Sequence, residues 1–270
     1  MTSSIAFIGG GQMASAIMGG LLARGTQAQH LVVVEPAEAA REQLLTRFGV
    51  HAHPASGAFL HDCAVVVWAV KPQTFRDAAA LTQAFTRHAL HLSVAAGIRS
   101  DTLAQWLHSE RIVRAMPNTP ALIGQGISGL FARAAVSAAD KERVNALMAC
   151  TGAAIWLDDE AQIDAVTALS GSGPAYVFFF LEAMRDAGVA MGLTAPQAYQ
   201  LAIATFAGAS ALAAASDDAP EILRQRVTSK GGTTFAAITA MESSGIKPAF
   251  EAAMQAARAR AAQMGDEFGA

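Results

Sequence analysis

The chain has 270 residues, a length that fits one large domain or two medium ones. Hydrophobic residues make up 53% of it and charged residues only 15%, which excludes a disordered protein and allows a sizeable core. The formal net charge of −3 offers no basic excess to neutralise a phosphate backbone, so nucleic acid is not an expected partner.

The first half alternates strand and helix signals. The apolar runs that predict strands are Ser4–Ile8, Leu31–Val34, Ala64–Val70, Leu90–Val94 and Ile112–Ala115. Helical segments such as Met13–Ala23 and Ala37–Phe48 lie between them. Strands that are apolar on both faces and separated by helices predict a doubly wound parallel sheet covered on both sides. Two further strands, Gly126–Ala132 and Ala153–Leu157, flank a predicted helix at Ala138–Ala149.

From Asp158 onward strand signals almost disappear and alanine dominates. The predicted helices are Ala165–Leu169, Ala175–Ala190, Ala195–Ala215, Ala219–Val227 and Phe250–Met264. We place a domain boundary at 157/158, between a doubly wound α/β domain (1–157) and an all-α domain (158–270). Helices with so little polar surface need a partner, so we expect a homo-oligomer formed through the second domain. The alternative is that these helices pack only on their own first domain.

Neither a membrane segment nor a secretion signal is predicted. The longest uncharged stretch, between Asp186 and Asp217, is rich in alanine rather than leucine and is interrupted by Pro196. A bilayer requires roughly 20 strongly apolar residues. Cys63 and Cys150 are the two cysteines, too few for a disulfide framework or a metal cluster. We therefore predict a cytoplasmic protein with no membrane partner and no metal site.

A glycine-rich turn follows the first strand. The sequence Ile5–Ala14 reads IAFIGGGQMA, and a helical pattern follows at once. Gly9 permits a tight turn, Gly11 lets a pyrophosphate approach the backbone, and Ala14 lets the helix pack closely on the strand. The free N–H groups at the start of that helix can hold phosphates. The pattern predicts a dinucleotide site, and the alternative is a glycine turn without a ligand.

Glu35, at the end of the second strand, bears on which dinucleotide binds. A carboxylate there can accept hydrogen bonds from the adenosine ribose hydroxyls, which favours NADH. It would repel the additional phosphate of NADPH unless a cation such as Arg41 intervened. The predicted cofactor is NADPH or NADH, with the sequence leaning to NADH.

Three more loops follow strands of the predicted sheet, where ligands of doubly wound sheets bind. They are Ala69–Pro72, Ala95–Gly97 and Met116–Pro120, the last with Asn118 between two prolines. Lys71 is equally explained as a solvated lysine, and the Asn118 loop as a rigid turn.

Two Gly/Ser/Thr clusters lie in the second half, at 170–176 (SGSGPAY) and 228–234 (TSKGGTT). Each precedes a helical run, so each can offer hydroxyls and backbone N–H groups to an anion such as a carboxylate. Simple helix capping explains such clusters as well.

With these motifs in view, the chain resembles the pyrroline-5-carboxylate reductase family over almost its whole length. The motifs that carry the resemblance are FIGGGQMASAI, AVKPQ, SVAAG, RAMPNTPALIGQG, ALSGSGPAYVFFFLEAM and VTSKGGTTFAAI, in that order. GSGPAY together with KGGTT is far more specific than the glycine-rich turn. The resemblance implies a Rossmann domain, a helical domain that interlocks with its mate, and reduction of 1-pyrroline-5-carboxylate to L-proline with NADPH or NADH.

The resemblance also implies roles for individual residues. The dinucleotide would be held by Gly9, Gly10, Gly11, Gln12, Met13, Ala69, Val70, Lys71, Pro72, Ala95, Ala96 and Gly97, and Asn118 would lie near the nicotinamide. The substrate carboxylate and ring nitrogen would be received by Ser229, Gly232, Thr233 and above all Thr234. Glu160 falls where some members carry an acid near the substrate, although a carboxylate favoured at a helix start explains it equally well. Arg226, where many members carry Asn, and Glu35 depart from the family pattern.

The chemistry also fits the absence of a histidine in these motifs, since all seven histidines precede Asn118. A cyclic imine can enter already protonated on nitrogen, so hydride transfer to its carbon needs no general acid from the protein. One alternative is a β-hydroxyacid dehydrogenase or related imine reductase. Those hydroxyacid enzymes carry a Lys on the helix after the second glycine cluster, whereas Ala175–Ala190 has none. Another is a dinucleotide-sensing protein without turnover, which the intact 229–234 cluster disfavours.

Overall fold

The strands of the first half form an eight-stranded sheet in a computed structural model that describes residues 4–269. In chain order they are β1 (Ser4–Ile8), β2 (Leu31–Val34), β3 (Ala52–His53), β4 (Cys63–Trp68), β5 (Leu90–Ser93), β6 (Ile112–Met116), β7 (Gly126–Ala132) and β8 (Gly152–Trp156). Across the sheet the order is β3-β2-β1-β4-β5-β6-β7-β8. The order reverses between β1 and β4, which confirms the doubly wound sheet and creates a crevice at the carboxyl ends of these strands.

The sheet is parallel from β3 to β6, and β7 then runs antiparallel to β6, with Val113 opposite Ala132. A parallel connection requires a crossover of a dozen or more residues. Only a short segment with a 3-10 turn at Thr119–Ile123 separates β6 from β7, so the chain reverses direction there. The last strand, β8, is parallel to β7.

Helices cover both faces of the sheet. They are α1 (Gln12–Ala23), α2 (Glu38–Phe48), α3 (Pro72–Thr82), α4 (Ser100–Leu107) and α5 (Ala138–Met148). Alternate strand residues divide into two apolar clusters, one that contains Phe7 and Ile17 of α1 and one that contains Trp68 and Phe75 of α3. The Trp68 and Phe75 rings stack with their centroids 4.9 Å apart. Burial on both faces explains why β1, β2 and β4 are almost continuously apolar.

The second half is helical, as predicted. Its helices are α6 (Gln162–Val166), α7 (Gly173–Ala190), α8 (Ala195–Ala214), α9 (Pro220–Arg226), α10 (Thr233–Ser243) and α11 (Ile246–Gly269), with a π-helical turn at Thr167–Gly171. Many large apolar side chains on these helices face solvent in the single chain, among them Phe178 (59% exposed) and Phe179 (68%). Among the helices of residues 4–269, none combines the length and apolar character needed to span a bilayer.

The described residues form two compact units, one up to Gly173 together with the residues from Ala257 on, and the other Pro174–Ala256. The first unit extends past β8 because Val166 packs against Gly129 of β7. The domain limits 1–157 and 158–270 stay a prediction, and their ends, residues 1–3 and 270, lie outside the described residues.

Candidate functional site

The turn after β1 has the geometry of a phosphate-binding loop. Gly9 has φ +95°, and a Cβ on it would lie 2.7 Å from the carbonyl oxygen of Ala69, so only glycine fits there. A Cβ on Gly11 would meet nothing within 4 Å, which leaves the backbone open to an approaching ligand. Helix α1 begins at Gln12, followed by Met13, with no side-chain cap and no acidic residue in its first turn. Its N–H groups are therefore available to an anion.

Glu35 follows β2 and is tied to this turn. Its Oε2 accepts a hydrogen bond from the Gly10 N–H at 2.8 Å, and its Oε1 accepts one from the Ala37 N–H at 2.9 Å. Arg41 Nη1 donates to the backbone carbonyls of Glu35 (3.1 Å) and Pro36 (2.6 Å). The carboxylate is thus fixed by backbone N–H groups, and the guanidinium faces the backbone of the same turn.

A cavity of about 540 Å³ opens at the carboxyl ends of β1, β2 and β4. The residues that line it from the predicted set are Gly9, Gly11, Glu35, Ala69, Val70 and Lys71. Pro72 is the first residue of α3, where proline is favoured because its missing N–H is not needed. This cavity, the open backbone at Gly11 and the uncapped α1 fit a dinucleotide.

Ser56, Thr74 and Asp77 also line the cavity, although no motif of the sequence predicts them there. Thr74 and Asp77 lie on the first two turns of α3. The Lys71–Pro72 pair predicts a helix start, and this signal places the first turns of α3, with Thr74 and Asp77, beside the cavity. Ser56 follows the two-residue strand β3, which is too short to show a periodic pattern.

The loop after β5 packs against the end of α11. Gly97 has φ +74°, and a Cβ on it would lie 2.8 Å from the Met264 Cβ. The Ala95 N–H donates to Ser93 Oγ at 3.3 Å, and Ala96 is half-buried. Because β1, β4 and β5 are parallel neighbours, this loop lies at the same sheet edge as the Gly9 turn. A contact of Ala95, Ala96 and Gly97 with the dinucleotide stays a prediction.

Both ends of the Asn118 carboxamide are used within the first unit. Nδ2 donates to the Ser170 carbonyl at 3.1 Å, and Oδ1 accepts from the Ile127 N–H at 3.0 Å. Asn118 therefore fixes the first residues of the SGSGPAY cluster against the turn that leads to β7. A position near the nicotinamide stays a prediction.

Glu160 is engaged by a network inside the first unit. Its Oε1 accepts from Arg114 Nη1 at 2.6 Å and from the Ser100 N–H at 2.6 Å, and its Oε2 accepts from Ser100 Oγ at 2.5 Å. The Arg114 side chain is 5% exposed and that of Glu160 19%. The carboxylate thus lies at the start of α4, which begins at Ser100, a helix start distant in sequence from Glu160. Direct action of Glu160 on a substrate stays a prediction.

The 229–234 cluster joins α9 to α10 in the second unit. Gly231 has φ +77°, and the Gly232 N–H donates to the Ser229 carbonyl at 3.0 Å, which forms a tight turn. Helix α10 begins at Thr233 with no side-chain cap and no acidic residue in its first turn. Thr233 and Thr234 are exposed there. This turn offers hydroxyls and backbone N–H groups to an anion. A contact of Ser229, Gly232, Thr233 and Thr234 with the substrate stays a prediction.

Arg226, the departure from the family pattern, lies just before this turn and forms an ion pair with Asp218. Its second nitrogen, Nη2, lies 3.1 Å from Asp218 Oδ1. The guanidinium is thus engaged within its own unit, between the end of α8 and the end of α9.

Two buried ionisable groups, His91 of β5 and Cys63 of β4, lie in the strands of the sheet. Burial, with a smaller contribution from Arg111, lowers the pKa of His91 to about 4, and His91 Nδ1 accepts from the Trp68 indole at 3.0 Å. Burial and then Asp62 raise the pKa of the Cys63 thiol to about 11. A neutral imidazole and an un-ionised thiol are packing groups rather than catalysts.

Two family models match the chain, one in each half. Residues 160–264 match the model described as pyrroline-5-carboxylate reductase dimerisation. Residues 4–97 match the model described as NADP oxidoreductase, coenzyme F420-dependent. The two matches follow the division into a strand-rich and a helical half.

Relatives that match over their full length belong to the same family as the model of the helical half. The chain is 44% identical over 270 residues to pyrroline-5-carboxylate reductase of Pseudomonas aeruginosa, covering 99% of each chain. Among solved structures it is similar to a pyrroline-5-carboxylate reductase from Coxiella burnetii, with 36% identity, a TM-score of 0.91 and coverage of 98% and 99% of the two chains. It is also similar to Plasmodium falciparum pyrroline carboxylate reductase with NADP bound, with 28% identity, a TM-score of 0.87 and 98% of each chain covered.

Proposed function

Because this chain belongs to the pyrroline-5-carboxylate reductase family, we propose that it reduces 1-pyrroline-5-carboxylate to L-proline with NADH or NADPH, the last step of proline formation. The observation that carries the proposal is full-length similarity, 44% identity over 99% of the chain. Two intact turns support it, one for the cofactor and one for the substrate. The Gly9–Gly11 turn has the form of a dinucleotide loop, and the 229–234 turn that of an anion site.

The first unit binds the cofactor. The N–H groups at the start of α1 hold its pyrophosphate, and the cavity lined by Glu35, Ala69 and Lys71 takes its adenosine half. When bound, the cofactor supplies the hydride that reduces the carbon–nitrogen double bond.

The 229–234 turn binds and orients the substrate. The Thr233 and Thr234 hydroxyls and the N–H groups at the start of α10 receive the carboxylate, whose charge is favoured by the helix dipole. Ser229 and Gly232 shape the turn through their backbone hydrogen bond of 3.0 Å. Fixing the carboxylate limits the orientations of the ring, which raises the rate because less entropy is lost on reaching the transition state.

The chain needs no general acid for this reaction, because the ring nitrogen carries its proton when it enters. Residues 119–270, which contain the 229–234 turn, contain no histidine. His91 is buried in β5 with a pKa of about 4, so it is neutral at physiological pH. Tyr176 and Lys230 belong to the two clusters, and the reaction requires a proton from neither of them.

We also assign the helical half to self-association. Its similarity to the family's dimerisation model covers residues 160–264, and its exposed apolar side chains include Leu201 (57%) and Leu212 (62%) of α8. A second copy of the chain would cover them. Both cysteines are free and buried, as expected in a reducing interior, so we place the enzyme in the cytoplasm.

The test is a parallel assay of the purified full-length chain with 1-pyrroline-5-carboxylate and either NADH or NADPH. We expect cofactor oxidation to match L-proline formation mole for mole. Oxidation of β-hydroxyacids by NAD(P)⁺ without imine reduction would favour the dehydrogenase alternative. Cofactor binding without turnover of either substrate would favour a sensing protein.

A further inference from the structure

We propose that Glu35 makes this chain select NADH over NADPH, acting from a fixed position at the edge of the dinucleotide cavity. The inference deepens the proposed function and rests on it in one respect, that the cavity takes the adenosine half of a nicotinamide cofactor. It concerns the ribose 2′ position, which is a hydroxyl in NADH and a phosphate in NADPH.

The Glu35 carboxylate cannot turn away without cost. Its two oxygens accept from the N–H groups of Gly10 (2.8 Å) and Ala37 (2.9 Å), which belong to the two turns that border the cavity. Rotation would leave both N–H groups without this acceptor. Each oxygen retains a lone pair, so the carboxylate can still accept from ribose hydroxyls. A 2′-phosphate would meet a fixed negative charge instead.

The other charges around the cavity do not offset that charge. Its charged lining residues are Glu35, Asp77 and Lys71, which leaves one net negative charge. The first turn of α2 adds another acid, Glu38. The local field therefore disfavours a phosphate that carries nearly two negative charges.

Arg41 is the residue that an NADPH-binding interpretation would require. Its Nη1 donates to the backbone carbonyls of Glu35 (3.1 Å) and Pro36 (2.6 Å), and the side chain is half-buried. It therefore stabilises the turn that presents Glu35, rather than projecting into the cavity as a phosphate ligand. This assignment gives Arg41 a positioning role that mutation can separate from phosphate binding.

The experiment measures binding alone, by calorimetric titration of the full-length chain with 5′-AMP and with 2′,5′-ADP, which differ only in the 2′-phosphate, and then with NADH and NADPH. We expect the wild-type protein to bind 5′-AMP at least about tenfold more tightly than 2′,5′-ADP. Glu35→Gln removes the charge but keeps an acceptor for one N–H, so 5′-AMP binding persists and the preference falls by about tenfold. Persistent 5′-AMP binding shows at the same time that the variant is folded.

Two variants serve as controls. Glu38→Gln removes an equal charge from α2 at a residue that does not line the cavity, so it should change the ratio far less than Glu35→Gln. Arg41→Gln should leave the ratio at or above its wild-type value. Equal affinity of the wild type for the two nucleotides, an unchanged ratio in Glu35→Gln, an equal effect of Glu38→Gln, or loss of only 2′,5′-ADP in Arg41→Gln would overturn the proposal. Because no pyrroline is present, those results leave the reductase function standing, whereas failure to bind any nucleotide would remove both.

Discussion

The Glu160 carboxylate lies 2.6 Å from the guanidinium of Arg114, so the acid that opens the helical half is paired with a buried cation of β6. The same carboxylate accepts from the N–H and the hydroxyl of Ser100 at the start of α4. It therefore joins a strand, a helix start and the segment after the last strand within one unit.

This pairing predicts a stability effect. Glu160→Gln leaves Arg114 buried without its counter-charge, so the free energy of unfolding should fall by about 3 kcal/mol, at the low end for buried pairs because Glu160 is partly exposed. Urea unfolding measures it, with Asp158→Asn at an exposed neighbour as the control. A large loss of kcat with an unchanged free energy of unfolding would instead indicate that Glu160 acts on the substrate.

Thr234 is predicted to act on the substrate and not on the cofactor. Thr234→Ala removes one hydroxyl from the start of α10, and a hydrogen bond to a charged group is worth about 1.5–3 kcal/mol. We expect turnover of 1-pyrroline-5-carboxylate to fall by about tenfold to a hundredfold, with NADH affinity nearly unchanged. Thr239→Ala, further along the same helix, is the matched control. Equal losses of turnover and NADH affinity would contradict the assignment.

His91 predicts a pH dependence of stability. The unfolded imidazole takes up a proton near pH 6.5, whereas burial lowers the pKa in the folded state to about 4. The unfolded state therefore binds more protons between these values, and the free energy of unfolding falls as pH decreases from 6.5 to 4, by about 3 kcal/mol from this residue. Urea titrations across this range measure the slope, which should be shallower in His91→Gln. Equal slopes would exclude His91 as its source.

Self-association is predicted to depend on α8. Leu201 and Leu212 are separated by three turns, so they lie on one face of the helix, and both are more than half exposed in the single chain. Leu212→Glu should shift sedimentation toward a smaller species because a charge would be buried in the interface. Gln200→Glu adds the same charge elsewhere on α8 and serves as the control. An unaltered sedimentation profile for Leu212→Glu would argue against this face.

Local patterns were enough to predict most of the fold. Strands β1, β2 and β4 could be predicted because burial on both faces makes them almost continuously apolar. The glycine-rich turn could be predicted because Gly9 must adopt a positive φ. Strand β3 has only two residues, too few for a pattern. The reversal at β7 follows from a short connection, which periodicity does not encode.

Partners distant in sequence could not be predicted. Glu35 is separated from Gly10 by 25 residues and Glu160 from Arg114 by 46. The sequence shows that each is an acid near the end of a strand or the start of a helix, and only the fold shows which N–H groups and cations they meet. The structure gives Glu35 a second role, since its carboxylate fixes the turn through Gly10. The pairing of Glu160 with Arg114 favours a structural role for that acid.

The most direct test of the reaction follows the hydrogen that is transferred. The full-length chain is incubated with 1-pyrroline-5-carboxylate and NADH that carries deuterium at its transferable position, and the proline formed is examined by NMR. We predict one deuterium on the ring carbon that was doubly bonded to nitrogen, and none at that carbon when unlabelled NADH is used in heavy water. Proline without the label, or no proline at all, would contradict direct reduction of the imine by this protein.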